Sequence, residues 1–289
     1  MPAPCPTGPD FLCIGTIKGG TTWLYARLSG NPGIWLPPIK EIRYFNTIHI
    51  PGPHQLTDVT HRAEQLVAHR ARLAALKQPL APWRASHPAC IAAMLEGPQD
   101  DAWYARIFGF AGPDRIRGDV TPQYALLPEA GIRHALALNP RLKAIALLRD
   151  PAQRALSHIA MRLGRDATAE GVMRVVDGPQ WPGYALHSDY ATWLTRWRDA
   201  LPTGALHVDT LGRIEREPVA VLEDISAFLG APAPPGCFAR AESRVNAGAA
   251  DRDSLLPALP HLRARLAGEY AALEAGWPDL AARFAAEGI

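Results

Sequence analysis

Phe11-Leu12-Cys13-Ile14-Gly15-Thr16-Ile17-Lys18-Gly19-Gly20-Thr21-Thr22-Trp23-Leu24-Tyr25 joins an apolar run, a turn of glycine, lysine and threonine, and a segment with helical apolar spacing. Phe11 to Ile14 have the length and character of a buried parallel strand, and Trp23, Leu24, Tyr25 and Leu28 recur as on a helix. The turn between them is built for an anion. Gly15, Gly19 and Gly20 permit positive φ and close approach of backbone N–H groups, and the following helix aims its positive end at the same place. Lys18 adds a charge, and Thr21 and Thr22 add hydroxyl donors. A glycine-rich turn without a ligand is the bland alternative.

Gly15 to Gly20 has the G-x-x-x-x-G spacing of an ATPase phosphate loop, but Thr21 stands where that loop needs lysine. Lys18-x-Gly20-Thr21-Thr22-x-Leu24 instead resembles the 5'-phosphosulfate loop of sulfotransferases that use 3'-phosphoadenosine 5'-phosphosulfate (PAPS). Further along, Asn31-Pro32-Gly33 is a turn and Ile34-Trp35-Leu36 a short apolar run ending at Pro37-Pro38. Lys40-Glu41-Ile42-Arg43-Tyr44-Phe45 follows. Alone, a Lys-Glu pair in a loop is solvated surface. In this order it is similar to the K-E-x-x-[FY]-F of the heparan-type and bacterial members of the family. The resemblance implies that Glu41 is the general base that takes the acceptor's proton, a task worth roughly 10²–10⁴-fold in rate.

Leu142 to Leu148 is a continuous apolar run of the parallel-sheet kind, with Arg149-Asp150-Pro151 at its carboxyl end, where open α/β sheets bind ligands. Arg149 offers a planar fork and Ser157 a hydroxyl about two helical turns on. The segment matches the family's R-D-P-x-x-R-x-x-S, which implies that Arg149 and Ser157 hold the 3'-phosphate of PAPS. An aspartate on magnesium, with Asp150 ending a Walker B strand, is the competing reading. Gly118-Asp119-Val120-Thr121-Pro122-Gln123-Tyr124 resembles a second family block, G-[ED]-x-[TS]-P-x-Y, and leaves Asp119 as a second carboxylate expected in the cleft, without an assigned role.

Tyr190-Ala191-Thr192-Trp193-Leu194-Thr195-Arg196-Trp197 resembles the family's Y-A-x-x-L-x-x-W helix, its aromatics read as core. Asp101–Phe108 reads as a helix, Ala205–Val208 as a strand, Pro218–Leu229 as a helix stopped by Gly230, and 262–273 and 280–284 as helical. Residues 51–97 read as an insertion that shapes the acceptor pocket, with a helical stretch over His61–Lys77. His49, His54, His61, His69 and His87 lack ligand spacing and are read as solvated or packing side chains. Relatives close a late basic loop over the nucleotide; Arg244, Gly248 and Arg252 are the candidates for it here.

The chain of 289 residues is expected to form one α/β domain over 1–289, a mainly parallel sheet flanked by helices with the P-loop-like PAPS sulfotransferase fold. Thirty basic residues against 28 acidic ones, net +2, suggest neither a nucleic-acid nor a membrane field. Cys5, Cys13, Cys90 and Cys237 have no metal or disulfide spacing, so no metal is expected and Cys13 should sit reduced in the first strand. The first residues lack a signal-peptide pattern and no run of about 18 apolar residues occurs, which predicts a soluble cytoplasmic chain. Abundant alanine, proline and arginine fit a GC-rich bacterial genome.

The resemblance, over about 11–230, implies a sulfotransferase moving a sulfuryl group from PAPS to a hydroxyl or amine of a small-molecule, natural-product or glycan acceptor, with PAP as product. Lys18 and Glu41 would be catalytic, and Lys18, Gly19, Gly20, Thr21, Thr22, Arg149 and Ser157 would bind the nucleotide. A P-loop small-molecule kinase and a catalytically inactive PAP-binding protein are the rival readings.

Overall fold

The computed structural model describes residues 8–50, 85–243 and 253–287, together with Glu64, Val67, Ala68 and Ala71. Its strands are Phe11–Gly15 (β1), Ile34–Trp35 (β2), Ile116–Val120 (β3), Lys143–Leu148 (β4) and Leu206–Thr210 (β5), and they pair in the order β2-β3-β1-β4-β5. Every pairing is parallel. The N-terminal half carries helices Thr21–Leu28 (α1), Tyr44–His49 (α2), His87–Met94 (α3), Asp101–Gly109 (α4) and Glu129–Leu138 (α5). Pro151–Leu163 (α6), Ala169–Val176 (α7), Trp181–Ala185 (α8), Tyr190–Ala200 (α9), Leu211–Arg216 (α10) and Pro218–Leu229 (α11) follow, then Leu259–Arg265 (α12), Ala267–Gly276 (α13) and Pro278–Ala286 (α14).

A parallel sheet needs both faces covered, and the alternation of side chains along β1 and β4 shows how. Leu12 and Ile14 join Ala144, Ala146 and Leu148 in a core completed by Trp103 and Tyr104 of α4, Ile132 of α5 and Trp193 and Trp197 of α9. Phe11 and Cys13 join Ile145 and Leu147 on the other face, under Trp23 and Leu24 of α1 and Val221 and Ile225 of α11. A third cluster, Ala155 and Ile159 of α6 with Val172 of α7 and Leu262 of α12, lies outside the two sheet faces. The aromatics of 190–197 are core, as read from the sequence. Cys13 is a buried free thiol, and burial pushes its pKa up to about 12. Gly118 is required because a Cβ there would come within 2.1 Å of the Phe11 ring, its neighbour in register across the β1–β3 pair.

Most elements fall where the sequence places them, with small shifts. β5 extends to Thr210, and α11 ends at Gly230, whose φ of 81° is the left-handed stop that glycine supplies. The stretch read as helical over 262–273 holds parts of two helices, α12 and α13, parted at the buried Leu266. Of the insertion, residues 85–97 contribute α3. Its helical reading over His61–Lys77, and His54, His61 and His69, lie outside the described residues apart from the four named above. Among the described residues no helix is long and apolar enough to cross a membrane.

Candidate active site

The site is built at the carboxyl ends of β1 and β4. After Gly15 the chain folds over the end of β4: the Thr16 amide donates to the Leu147 carbonyl at 2.6 Å, and the Gly19 amide returns to the Thr16 carbonyl at 3.0 Å. A Cβ on Gly19 would sit 2.1 Å from that same Leu147 oxygen, so only glycine fits. Gly20 is left-handed, with φ 102°, and opens α1 without a side-chain cap, leaving the first amides of the helix for a ligand. Thr21 is buried and Thr22 half-buried at this helix start.

Cations gather around the loop. Burial, then the charges of Arg149 and Lys40, lower the Lys18 pKa, so Lys18 feels both cations. Lys18 Nζ lies 3.8 Å from Met161 Sδ on α6. Arg149 follows β4 and donates to Gln153 Oε1 from Nε and Nη2 at 3.3 and 3.2 Å, while its carbonyl accepts the Tyr190 hydroxyl at 2.7 Å. Ser157 lies half-buried one turn past Gln153 on α6, and its hydroxyl meets no partner among the described residues. Cations that repel one another beside a glycine cradle and a vacant hydroxyl form a fitting receptacle for a polyanion.

Glu41 is tied to the same place from the other side. Lys40 Nζ donates to Thr22 Oγ1 and to Glu41 Oε1, both at 3.1 Å, and Arg43 Nη2 donates to Glu41 Oε2 at 2.5 Å. Burial opposes ionisation of Glu41, but Lys40 and Arg43 outweigh it and hold the carboxyl below its ordinary value. The Glu41 amide is anchored to the Val120 carbonyl at 3.0 Å. The pair is thus partly buried and networked, not solvated surface.

Strain marks the same residues. Among the described residues, the non-glycine residues at positive φ are Lys18 (71°), Glu41 (65°) and Arg43 (60°). Such conformations cost of order 1–3 kcal/mol each and survive where the surroundings over-determine them, most often at functional sites. Nothing in the residue types of Lys18 or Glu41 favours this backbone, so the strain was invisible in the sequence.

Asp119 is not in the cleft, against the sequence expectation. It is 1 % exposed and accepts the hydroxyls of Tyr104 (2.9 Å), Tyr124 (2.8 Å) and Thr121 (2.8 Å). A buried carboxylate so satisfied organises the end of β3 from behind, next to the Val120 carbonyl that anchors Glu41. Asp150 is likewise occupied. One oxygen caps α6 through the Gln153 amide at 2.9 Å and the other accepts Tyr270 at 2.7 Å, so both serve the helix start and its packing.

The late segment approaches α1. Trp23 Nε1 donates to the Ala241 carbonyl and Arg27 to the Ser243 carbonyl, each at 2.8 Å. Arg244, Gly248 and Arg252 lie outside the described residues. His49 and His87 take packing roles: His49 bonds His134 at 2.9 Å and His87 lies edge-on to Trp35. Sequence reasoning missed the bridge made by Lys40, the clamp made by Arg43 and the buried Arg154. All stand inside motifs quoted above, so their positions were in view while their partners were not.

The profile described as "Sulfotransferase family" matches residues 9–235. Among solved structures, a sulfotransferase from Alicyclobacillus acidocaldarius superposes with a TM-score of 0.58 at 23 % identity, covering 92 % of this chain and 94 % of that one. The sulfotransferase domain from the curacin biosynthetic pathway gives 0.56 at 15 % identity, over 86 % and 82 %. These likenesses are of fold, and it is the match along 9–235 that decides membership: this chain belongs to the sulfotransferase family.

Proposed function

We propose that the protein transfers a sulfuryl group from PAPS to a hydroxyl or amine of a small-molecule, natural-product or glycan acceptor. The observation that carries this reading is the glycine loop folded over the end of β4, with Lys18 within it, Lys40 bonded to Thr22 at its helix start and Arg149 directly after β4. When bound there, the nucleotide supplies the activated sulfuryl group and a leaving phosphate. Gly19, Gly20 and the first amides of α1, with Thr21 and Thr22, hold the 5' end, and Arg149 and Ser157 hold the 3'-phosphate. Lys18 Nζ then stands where negative charge grows on the bridging oxygen as the bond to sulfur breaks. A preorganised donor so placed is worth about 2.7–4 kcal/mol. Glu41 is ionised at neutral pH, since Lys40 and Arg43 hold its pKa low, and so is ready to take the acceptor's proton as the new S–O or S–N bond forms.

Two substitutions separate these roles. Lys18→Ala is expected to abolish turnover, and an active variant would overturn the loop assignment. Glu41→Gln is expected to lose transfer while keeping PAP binding; weak PAP binding would make Glu41 structural. Calorimetric titration with PAP, against ADP and ATP with and without magnesium, tests the whole reading. Metal-independent binding of PAP at least about tenfold tighter than ADP, roughly 1.4 kcal/mol, supports the 3'-phosphate site. Magnesium-dependent ATP binding without a preference for PAP would favour the kinase, and PAP binding without transfer to any acceptor would favour the inactive binder.

A further inference from the structure

Arg154 is fully buried, and each edge of its guanidinium is engaged: Nε donates to Ser188 Oγ at 2.8 Å, Nη2 to the Tyr184 carbonyl at 2.6 Å, and Nη1 faces His158 Nδ1 at 3.3 Å. Guanidinium has donors only. Nδ1 of His158 therefore accepts, the imidazole is neutral, and its single proton is on Nε2. Burial, then the charges of Arg154, Arg162 and Lys18, push the His158 pKa down to about 3, in line with that geometry. The ring is held edge-on to Tyr184, at 4.8 Å, and to His187, at 5.7 Å. Its Nε2 has no partner among the described residues.

The helix sets where this donor faces. Gln153 and Ser157 share a stripe of α6 with the Arg149 side chain, Arg154 and His158 form the stripe about 100° around, and Met161, one turn beyond both Ser157 and His158, lies between the two. Met161 is the residue that touches Lys18 Nζ. His158 thus stands one turn from the residue that meets Lys18 Nζ, and its ring lies within the field of the Lys18 charge. We propose that His158 Nε2–H donates a hydrogen bond to an oxygen of the sulfuryl group of the bound donor nucleotide, with Arg154 as the positioning residue that fixes the tautomer. This rests on the PAPS reading above. A neutral donor adds a bond at the transferring group without a fourth cation beside Lys18, Lys40 and Arg149, whose charge would grip the starting nucleotide as firmly as the departing one.

PAP lacks the sulfuryl group, so paired binding measurements in the absence of acceptor isolate the contact. For His158→Leu we expect PAP affinity within about twofold of wild type and PAPS affinity lowered about tenfold or more, the range for a hydrogen bond to a charged group. His158→Gln, which offers an amide donor near the Nε2 position, should recover most of that loss. Equal weakening for both nucleotides, or unchanged PAPS affinity in the leucine variant, would overturn the proposal. Nitrogen chemical shifts of the histidines in the wild-type protein give a second readout that needs no substitution. They should show an Nε2-protonated neutral His158 that responds to PAPS and not to PAP; an Nδ1-protonated or doubly protonated ring would sink it. Wild-type protein that binds neither nucleotide would take down the underlying reading, and this proposal with it.

Discussion

Single atoms decide how much freedom the site has. The Leu147 carbonyl lies 2.1 Å from where a Gly19 Cβ would be, and backbone cannot swing away as a side-chain tip can. Gly19→Ala is expected to cost about 1–3 kcal/mol, as overpacking does, and to lose PAP binding along with it. Thermal unfolding and nucleotide titration of the one variant check both. Asp119 carries the opposite lesson. Three hydroxyls converge on it, and Asp119→Leu removes the acceptor they share; a buried hydroxyl stranded by that loss costs about 1–3 kcal/mol. A variant that unfolds within a few degrees of wild type would show that the hydroxyls find other partners. The sequence displayed Asp119 in a family block beside an active-site turn, and a carboxylate there reads as chemistry. What makes it structural is the pair of tyrosines closing over it, and Tyr104 arrives from a different helix.

At the level of elements, α6 joins fold to chemistry. Asp150 caps it, Pro151 opens it, and one of its stripes packs on α7 and α12 while Gln153, on another, holds the Arg149 side chain. Asp150→Ala should cost about 0.5–2 kcal/mol through the lost cap, with a further loss because the Tyr270 hydroxyl is left without its acceptor. PAP affinity should fall as well, since Arg149 and Ser157 take their places from this helix start. A loss of stability with unchanged PAP affinity would show that the cap does not position Arg149 and Ser157 for the role proposed for them. The strands and helices were largely legible: β1 and, from Ala144 on, β4 are apolar runs, and the R-D-P-x-x-R-x-x-S spacing alone sets Arg149 and Ser157 about two turns apart. The bonds between elements were not legible. Lys40 reaches back to Thr22, and Arg154 across to Ser188 and Tyr184, because tertiary packing brings together residues that no local period relates.

For the molecule as a whole, the neutral imidazoles of the half-buried His158 and the buried His187 tie stability to pH. Burial first, and the Arg154 charge next, depress both in the folded state, while the unfolded chain titrates them normally, near pH 6.5. Below that value the unfolded state binds more protons, so stability is full above about pH 6.5 and falls as pH drops, by up to about 1.4 kcal/mol per pH unit for each ring. Unfolding midpoints measured between about pH 7.5 and 5 should decline, and less steeply for His158→Gln; identical slopes would remove His158 from the account. The parallel topology has its own consequence in time. β1 is made first yet pairs with β3 and β4, and the turn after it takes its shape from the Leu147 carbonyl at the far end of β4. A nascent chain cannot present a finished glycine loop until β4 has emerged and docked, and contacts of such long sequence separation form slowly. In refolding, the ability to capture PAP should therefore appear together with the slowest step of sheet assembly, never ahead of it.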